Sequence, residues 1–422
     1  MTQPAAGLES KSGSDPGLRR RIRRSQRRHR IVSHLLVAPV LLFILSFFIG
    51  PIAAMLTRAV DNPEVSAGLP ATAAAISRWD GEGAPPPAVF RALTEDFSNK
   101  DLRFERASAA QRLNYEIAGY RSLVMQSARK IGRMDAAALE DPKAALVKVD
   151  ERWAEPAYWH ALRRASGAYT PYYLLAALDL KMTDDGAVAR AEPEQRIFVE
   201  ILMRSLWVSA VVTAVCLLVG FPVANFMVVA SPRLRAIIAL SILLPFWTSL
   251  LVRTSAWIVV LQREGLINEL LMWLTLIDDP LELVFNRFGV YVAMVHILLP
   301  FMVLPLYSVM KGISPAYMRA ATSLGAHPAR AFLRVYLPMT MPGVGAGCLL
   351  VFILTVGYYI TPALVGGAKD QMIGYFIAFF TNQQLNWGMA SALSFIALTC
   401  IIVLYAAVGR YVGVGRLAGL EK

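Results

Sequence analysis

Long apolar runs separated by short polar breaks fill most of this chain, and one long polar stretch interrupts them early. The first run, residues 31–56, is long enough to cross a hydrocarbon core of about 30 Å as a helix. Later runs predict further spans at 198–229, 236–261, 289–311, 342–361 and 388–409. In residues 59–195 charges of both signs are interspersed, and Pro85, Pro86 and Pro87 mark a stiff linker. Within 104–131, Leu113, Ile117, Tyr120, Leu123, Val124, Ala128 and Ile131 recur at helical spacing. Residues 144–165 read as helical too, with Trp153, Tyr158, Trp159 and Leu162 as core positions. The map that follows is a tail at 1–30, a first span at 31–58, an insert at 59–196, a helical core at 197–412 and a tail at 413–422.

A second polar stretch, SPAYMRAATSLGAHPARAFLRVYLPMTMPG at 314–343, lies between two apolar runs. It breaks at Gly325, and Pro338 and Pro342 are expected to stop its second helix and turn the chain into the next span. Lipid would leave this broken backbone unsatisfied, so the stretch must be solvated or held against a partner. It reads as a docking surface.

Charge sets the expected topology. The 422 residues are 56% hydrophobic with a mean hydropathy of +0.48, more apolar than soluble domains usually are. A formal charge of +12 is concentrated in RRRIRRSQRRHR at 19–30. Such a run can bind nucleic acid. Directly before an apolar span, it reads as a cytoplasmic anchor under the positive-inside rule. A signal peptide competes, but the span is too long for one, and Gly50 and Pro51 offer no small-residue cleavage site. Arg233 and Arg235 follow the second span, and Arg410 and Arg416 the sixth, so six crossings put both termini in the cytoplasm. The 314–342 loop then faces the cytoplasm and the insert faces outward. Glu264, Glu269, Asp278 and Asp279 suit an outer position for 262–288. Cys216, Cys348 and Cys400 all fall in apolar runs, as reduced core or lipid-facing thiols. The insert is either helical filler or a contact surface for an extracytoplasmic partner.

Polar groups inside the spans are few. Arg253 sits near the middle of the third, with Trp247, Thr248 and Trp257 around it. An intramembrane arginine pairs with carbonyls or a neighbouring helix, or faces a pathway. Thr355, Tyr358 and Tyr359 mark a broken end of the fifth span, and Tyr307 lies in the fourth with His296. These are the candidate pathway residues: Trp247, Thr248, Arg253, Trp257, Tyr307, Thr355, Tyr358 and Tyr359. His296 reads first as a packing residue. The chain has no Gly-x-x-x-x-Gly-Lys-Ser/Thr phosphate loop and no metal-spaced His/Cys cluster. Catalytic and metal residues are therefore none. No carboxylate lies near the centre of spans two to six, which argues against coupling to an ion gradient. Energy for any transport must come from another chain.

At this point the residues carry a likeness. The loop resembles the Glu-Ala-Ala loop of binding-protein-dependent ABC importer permeases, a pattern of Glu-Ala-Ala, three residues, Gly, nine residues, Ile-x-Leu-Pro. Ala320, Ala321, Gly325, Leu337 and Pro338 match in register, Val335 stands for the isoleucine, and Arg319 replaces the glutamate. LLPFWTSLLVRTSAWIVVLQREGLIN at 243–268, LPFMVLPLYSVM at 299–310, VGGAKDQMIG at 365–374 and NWGMASALS at 386–394 look like the spermidine/putrescine permease subfamily. The resemblance covers 31–58 loosely and 197–412 well. It implies an all-α polytopic membrane protein with six transmembrane helices, the type I ABC importer permease fold, and a helical periplasmic insert. It implies a polyamine importer subunit of the bacterial inner membrane. Its partners would be a cytoplasmic ATPase dimer that holds ATP and magnesium, a second permease subunit and a periplasmic substrate-binding protein, with no nucleic acid and no cofactor on this chain. An importer for an opine or amino-acid derivative, and a membrane-anchored sensor or scaffold, are the other readings.

Overall fold

The computed structural model describes residues 35–135, 140–183 and 186–412. The basic run at 19–30 and the 413–422 tail lie outside them. Two units result, divided after Leu56. The first contributes α1, Leu35–Thr57, a helix of 23 residues and long enough to span a bilayer. A π-turn at Leu45–Ile49 lets the Gly50 amide reach the Leu45 carbonyl. The helix thereby absorbs Pro51, whose nitrogen has no hydrogen to give.

The insert is a small helical bundle with a hydrophobic core of its own. Its helices are α2 (Pro63–Gly68), α3 (Pro70–Ile76), α4 (Pro87–Ser98), α5 (Arg103–Glu116), α6 (Tyr120–Ile131), α7 (Pro142–Val149), α8 (Pro156–Ala165) and α9 (Tyr172–Ala176). Pro63, Pro70, Pro87, Pro142 and Pro156 open their helices, where the missing N–H costs nothing. The expected helix over 104–131 is two: the first ends where Ile117 turns extended, and Gly119, at a φ of 89°, leads into the second. The 144–165 stretch is likewise cut between Val149 and Pro156 by a short 3-10 turn. The fold departs from all-α in one hairpin, β1 (Leu180–Met182) paired antiparallel with β2 (Val188–Arg190). Core positions read from the pattern are buried, Ile117 only partly, and the polar tips of the large aromatic ones are paired. Trp153 Nε1 donates to Ser127 Oγ at 2.8 Å, Trp159 Nε1 to the Trp153 carbonyl at 2.9 Å, and Tyr120 OH to the Tyr158 carbonyl at 2.9 Å.

Two features join the insert to the membrane core. Asp179, at a φ of 58°, accepts from the amides of Ile197, Phe198 and Val199 at 2.9–3.2 Å, and so satisfies the open end of the next helix. Tyr173 packs where a Cβ on Gly388 would overlap its ring. Behind it, the buried Arg112 lies over the Tyr172 and Tyr173 rings and donates to Asn62 Oδ1 at 2.8 Å and Glu116 Oε1 at 3.0 Å.

The core comprises α10 (Phe198–Val229), α11 (Pro232–Leu243), α12 (Leu250–Leu261), α13 (Leu266–Trp273), α14 (Arg287–Lys311), α15 (Ala316–Ser323), α16 (Pro328–Ala331), α17 (Leu337–Gly357), α18 (Ile360–Val365), α19 (Ile373–Asn382) and α20 (Trp387–Val412). Its contacts fix the directions of α10, α14 and α17. Near the start of α10, Arg204 donates to the Lys369 carbonyl and Ser205 Oγ accepts from the Ile373 amide at 2.8 Å. Arg287, at the start of α14, donates to Asp370 at 3.0 Å. Both helices therefore begin at the 369–373 segment and run parallel, Gly220 meeting Met302 and Val303. Helix α17 runs the other way, with Gly343 against Val309 and Gly347 against Met302. The chain from α11 to α13 must then return from the far end of α10 to the start of α14. It is a crossing, and the insert and the 312–327 loop lie at opposite ends of the bundle.

Two expected spans need correction. The third is not one helix over 236–261 but a bent pair, turned by 104° at Thr248 and Ser249. Nor do Pro338 and Pro342 stop the loop's second helix. The chain runs on from Pro328 to Gly357, because a π-turn at Phe332–Tyr336 lets the Leu337 amide bond Phe332 and leaves no carbonyl waiting for Pro338. This is the device seen before Pro51.

Asp150 gives a pH test. Hydrogen bonds from Arg152 Nη2 at 2.7 Å and Nε at 2.9 Å hold its carboxyl below the ordinary 3.8. A depressed carboxyl contributes stability above its unfolded value and loses it as pH falls through the folded one. Asp150→Asn keeps the backbone cap but not the charge. Its thermal midpoint should fall below the parent's at neutral pH, and the two should converge as the pH drops below 3.8.

Candidate coupling loop and membrane pathway

The spacing of Ala321 and Gly325 has a structural cause. Helix α15 ends in a left-handed glycine, Gly325 at a φ of 88°. The Ala326 amide reaches back to the Ala321 carbonyl at 3.1 Å, and the Gly325 amide to Thr322 at 3.0 Å. This is the Schellman pair of bonds, and it requires the capped carbonyl four residues before the glycine. No atom would crowd a Cβ at Gly325, so the backbone angle alone selects glycine. His327 then starts α16, its Nδ1 accepting from the Ala329 amide at 3.3 Å.

The turn is open to solvent. Arg319, Ala320 and Gly325 are exposed, and Leu324 is 89% exposed. Ala321, Val335 and Leu337 are half-buried, and Pro338 is exposed. At the base of the loop, Tyr336 OH donates to Asn225 Oδ1 at 2.9 Å, tying it to the end of α10. Arg235 donates from α11 to the Met227, Val228 and Ala230 carbonyls and caps the same end.

The intramembrane candidates fall into separate places. Arg253 lies in the first turn of α12 and donates back to the Pro245 carbonyl, the Thr248 carbonyl at 3.0 Å and Thr248 Oγ1 at 3.4 Å. It satisfies the carbonyls that the 104° bend frees. Trp257 Nε1 donates to His296 Nδ1 at 3.1 Å, joining α12 to α14. Trp257 follows Arg253 by one turn on α12, which places Arg253 beside the same junction. Arg253, Trp257 and His296 thus belong to one neighbourhood, with Thr248 at its edge, while Tyr358 is half-buried against the core shared by α10, α14 and α17. Tyr359 lines a separate, mainly apolar cavity of about 480 Å³ with Gly374, Thr381 and Ser394. Trp247 is 84% exposed on the chain's surface. The Thr355 hydroxyl is buried and spent on the Val351 carbonyl at 2.7 Å. Tyr307 sits near the loop, under the Lys311 ammonium. The pattern gave no weight to Asn225, or to the buried contact between Thr254 and Thr361 hydroxyls at 3.3 Å. The only signal was a polar residue inside an apolar run, which does not name its partner.

Among the described residues, five single helices and the bent pair are long and apolar enough to cross a bilayer, the make-up of a multi-pass membrane protein. No family model matches the chain. The spermidine/putrescine transport system permease protein PotB of Escherichia coli is 36% identical over 208 residues, 49% of this chain and 75% of PotB. The inner membrane ABC transporter permease protein YdcU, from the same organism, is 31% identical over 229 residues, 50% of this chain and 71% of YdcU. A solved bacterial ABC transporter involved in the import of the acidic polysaccharide alginate aligns at a TM-score of 0.40 and 18% identity, covering 51% of this chain and 78% of that one. The chain belongs to the family of ABC transporter permeases that includes the spermidine/putrescine permeases.

An L-residue in the left-handed region costs about 1–2 kcal/mol. Gly325→Ala should therefore speed hydrogen exchange of the Ala326 amide by about tenfold. Gly325→Asn, whose side chain tolerates this region, should do so less.

Proposed function

We propose that this chain is one membrane half of an ATP-driven importer for polyamines of the spermidine/putrescine kind, with an opine or amino-acid derivative as the second reading of the solute. It works with a second permease subunit, a pair of cytoplasmic ATPase subunits that hold ATP and magnesium, and an extracytoplasmic binding protein. It sits in a bacterial inner membrane with both termini and the 314–342 loop in the cytoplasm and the 59–196 insert outside. The chain itself does no chemistry.

The observation that carries this reading is the loop. An exposed, glycine-capped pair of helices stands at the bundle end opposite the insert, in the register of the ABC permease loop. Arg319, Ala320, Ala321 and Gly325 form the knob that a groove in the ATPase receives. Val335, Leu337 and Pro338 carry its motion into α17, and Tyr336 carries it to α10 through Asn225. The two helix breaks, at Thr248–Ser249 and at Tyr358–Tyr359, are where the spans flex to open the path to either side. Amino-acid derivatives stand beside polyamines because of Arg253, a fixed positive charge among spans without a central carboxylate.

Reconstitution with the partner subunits in liposomes tests this. Proline cannot adopt a positive φ, so Gly325→Pro should reduce ATP-driven uptake to background while leaving the chain inserted. Arg319→Glu should change uptake modestly. Full ATP-driven uptake by both variants contradicts the coupling role.

A further inference from the structure

We propose that the hairpin of the insert receives a third strand: an extended peptide segment of the extracytoplasmic binding protein, paired along the free edge of β1 and seated in the cleft beside it. The inference rests on the importer reading above. It gives a partner to the insert, which lies outside the stretches that carry the family likeness.

The hairpin's register fixes which main-chain groups are free. Leu180 stands opposite Arg190, Lys181 opposite Ala189 and Met182 opposite Val188. At either end, the Ala191 amide donates to the Asp179 carbonyl at 3.0 Å and the Thr183 amide to the Ala187 carbonyl at 2.9 Å. Lys181 and Thr183 therefore turn their amides and carbonyls toward β2, and Leu180 and Met182 turn theirs away. Those outward groups have no partner among the described residues. A cleft of about 690 Å³ runs along them, lined by Leu180, Lys181, Met182 and Thr183. Side chains alternate between the faces of a strand, so four successive residues share a cleft only at the strand's edge. Across it stand α9, through Tyr172 and Leu175, and the head of α10, through Phe198.

The chemistry of the cleft names its occupant. Outward amide and carbonyl pairs recur about every 7 Å along a strand edge. An extended peptide main chain supplies the matching acceptors and donors at that repeat. Charge plays little part, because the charged groups of the wall hold one another. Glu116 meets Arg112 at 3.0 Å and Arg164 at 3.6 Å, and Lys181 meets Glu192 at 2.6 Å. Side-chain selection comes from the pleat. Leu180 and Met182 share the half-buried face of β1, and Lys181 lies on the exposed one. An added strand in step with them carries apolar side chains beside Leu180 and Met182 and polar ones beside Lys181. In the importer reading both ends of this chain are cytoplasmic, so the segment comes from another protein, and the binding protein is the soluble partner on that side. Its seat bears on transport through Asp179, which roots β1 and caps α10.

Amide exchange on the assembled transporter, full chain with its partner subunits in nanodiscs, tests this residue by residue. Without the binding protein, the Leu180 and Met182 amides should exchange faster than those of Lys181 and Thr183. Adding the purified binding protein should slow Leu180 and Met182 by about tenfold or more. A blocked peptide of alternating valine and threonine is the second probe and should slow the same two amides. Methylating its valine amides should abolish the effect and methylating its threonine amides should not, since only the former point at β1. Met182→Pro removes an outward amide and none that β2 uses. It should weaken the binding protein's affinity by about tenfold, with Lys181 still protected. The methylated peptides give the same reading without altering the hairpin. Leu180 and Met182 amides that are already slow in the transporter alone, that stay fast with the binding protein bound, or that respond equally to both methylated peptides overturn the added strand. Uptake separates the two claims. ATP-driven polyamine uptake with no slowing of Leu180 and Met182 by the binding protein contradicts the added strand alone. Slowing in this register with no ATP-driven uptake contradicts the importer reading alone.

Discussion

Broken backbone inside a membrane has no water to turn to, and the fold is built around that fact. At several interruptions a specific group meets the freed carbonyls or amides. Arg235 closes the end of α10 from the first turn of α11, and Arg253 closes the end of the next segment from the first turn of α12. The repeated device lets a span bend by 104° without leaving acceptors bare. Prolines are handled by a second device. Before Pro51 and before Pro338 a π-turn sends the preceding amide one residue farther back, so the helix continues where it would otherwise stop. The amides at the start of α10 are met by a third, the carboxylate of Asp179.

These devices also fasten the parts of the bundle to one another. The insert is fastened at the heads of α10 and α20 by Asp179 and by Tyr173 against Gly388. The loop is fastened at the foot of α10 by Tyr336 and Asn225. Helix α10 therefore connects both ends of the bundle, packed on α14 through the close approach at Gly220. The bent pair and the α17–α18 junction hold the non-helical turns between those ends, bridged by the Thr254 and Thr361 hydroxyls. A rigid strut beside two jointed spans is an arrangement that can turn a push on the loop into a change at mid-membrane depth.

Much of this was legible in the chain. Apolar runs located each span, because burial in lipid demands about 20 apolar residues in a row and leaves little freedom in composition. The core of the insert was legible for a related reason: Trp153, Trp159, Tyr120 and Leu162 recur at helical spacing and are all buried. The Gly325 turn was readable because its capping geometry fixes the spacing to Ala321. The bend at Thr248 was not. Hydrophobicity is the same whether a span is straight or broken, and the arginine that permits the break reads in one dimension only as a costly charge. The same limit hid the π-turn before Pro338, since a proline in sequence signals a stop unless the surrounding helix supplies the extra residue. Trp247 and Thr355 were pathway candidates by residue type; the fold leaves the first on the surface and spends the second's hydroxyl within its own helix.

The central claim is that events at the loop reach the paired breaks. It is tested most directly by spin-label distances between cysteines placed at Ser249 and Gly357, with Cys216, Cys348 and Cys400 replaced, in the assembled transporter with and without bound nucleotide. A distance distribution that shifts on nucleotide binding, and no longer shifts when Gly325→Pro is added, is the expected result. An unchanged distribution through active ATP hydrolysis, or a shift that survives Gly325→Pro intact, contradicts the account.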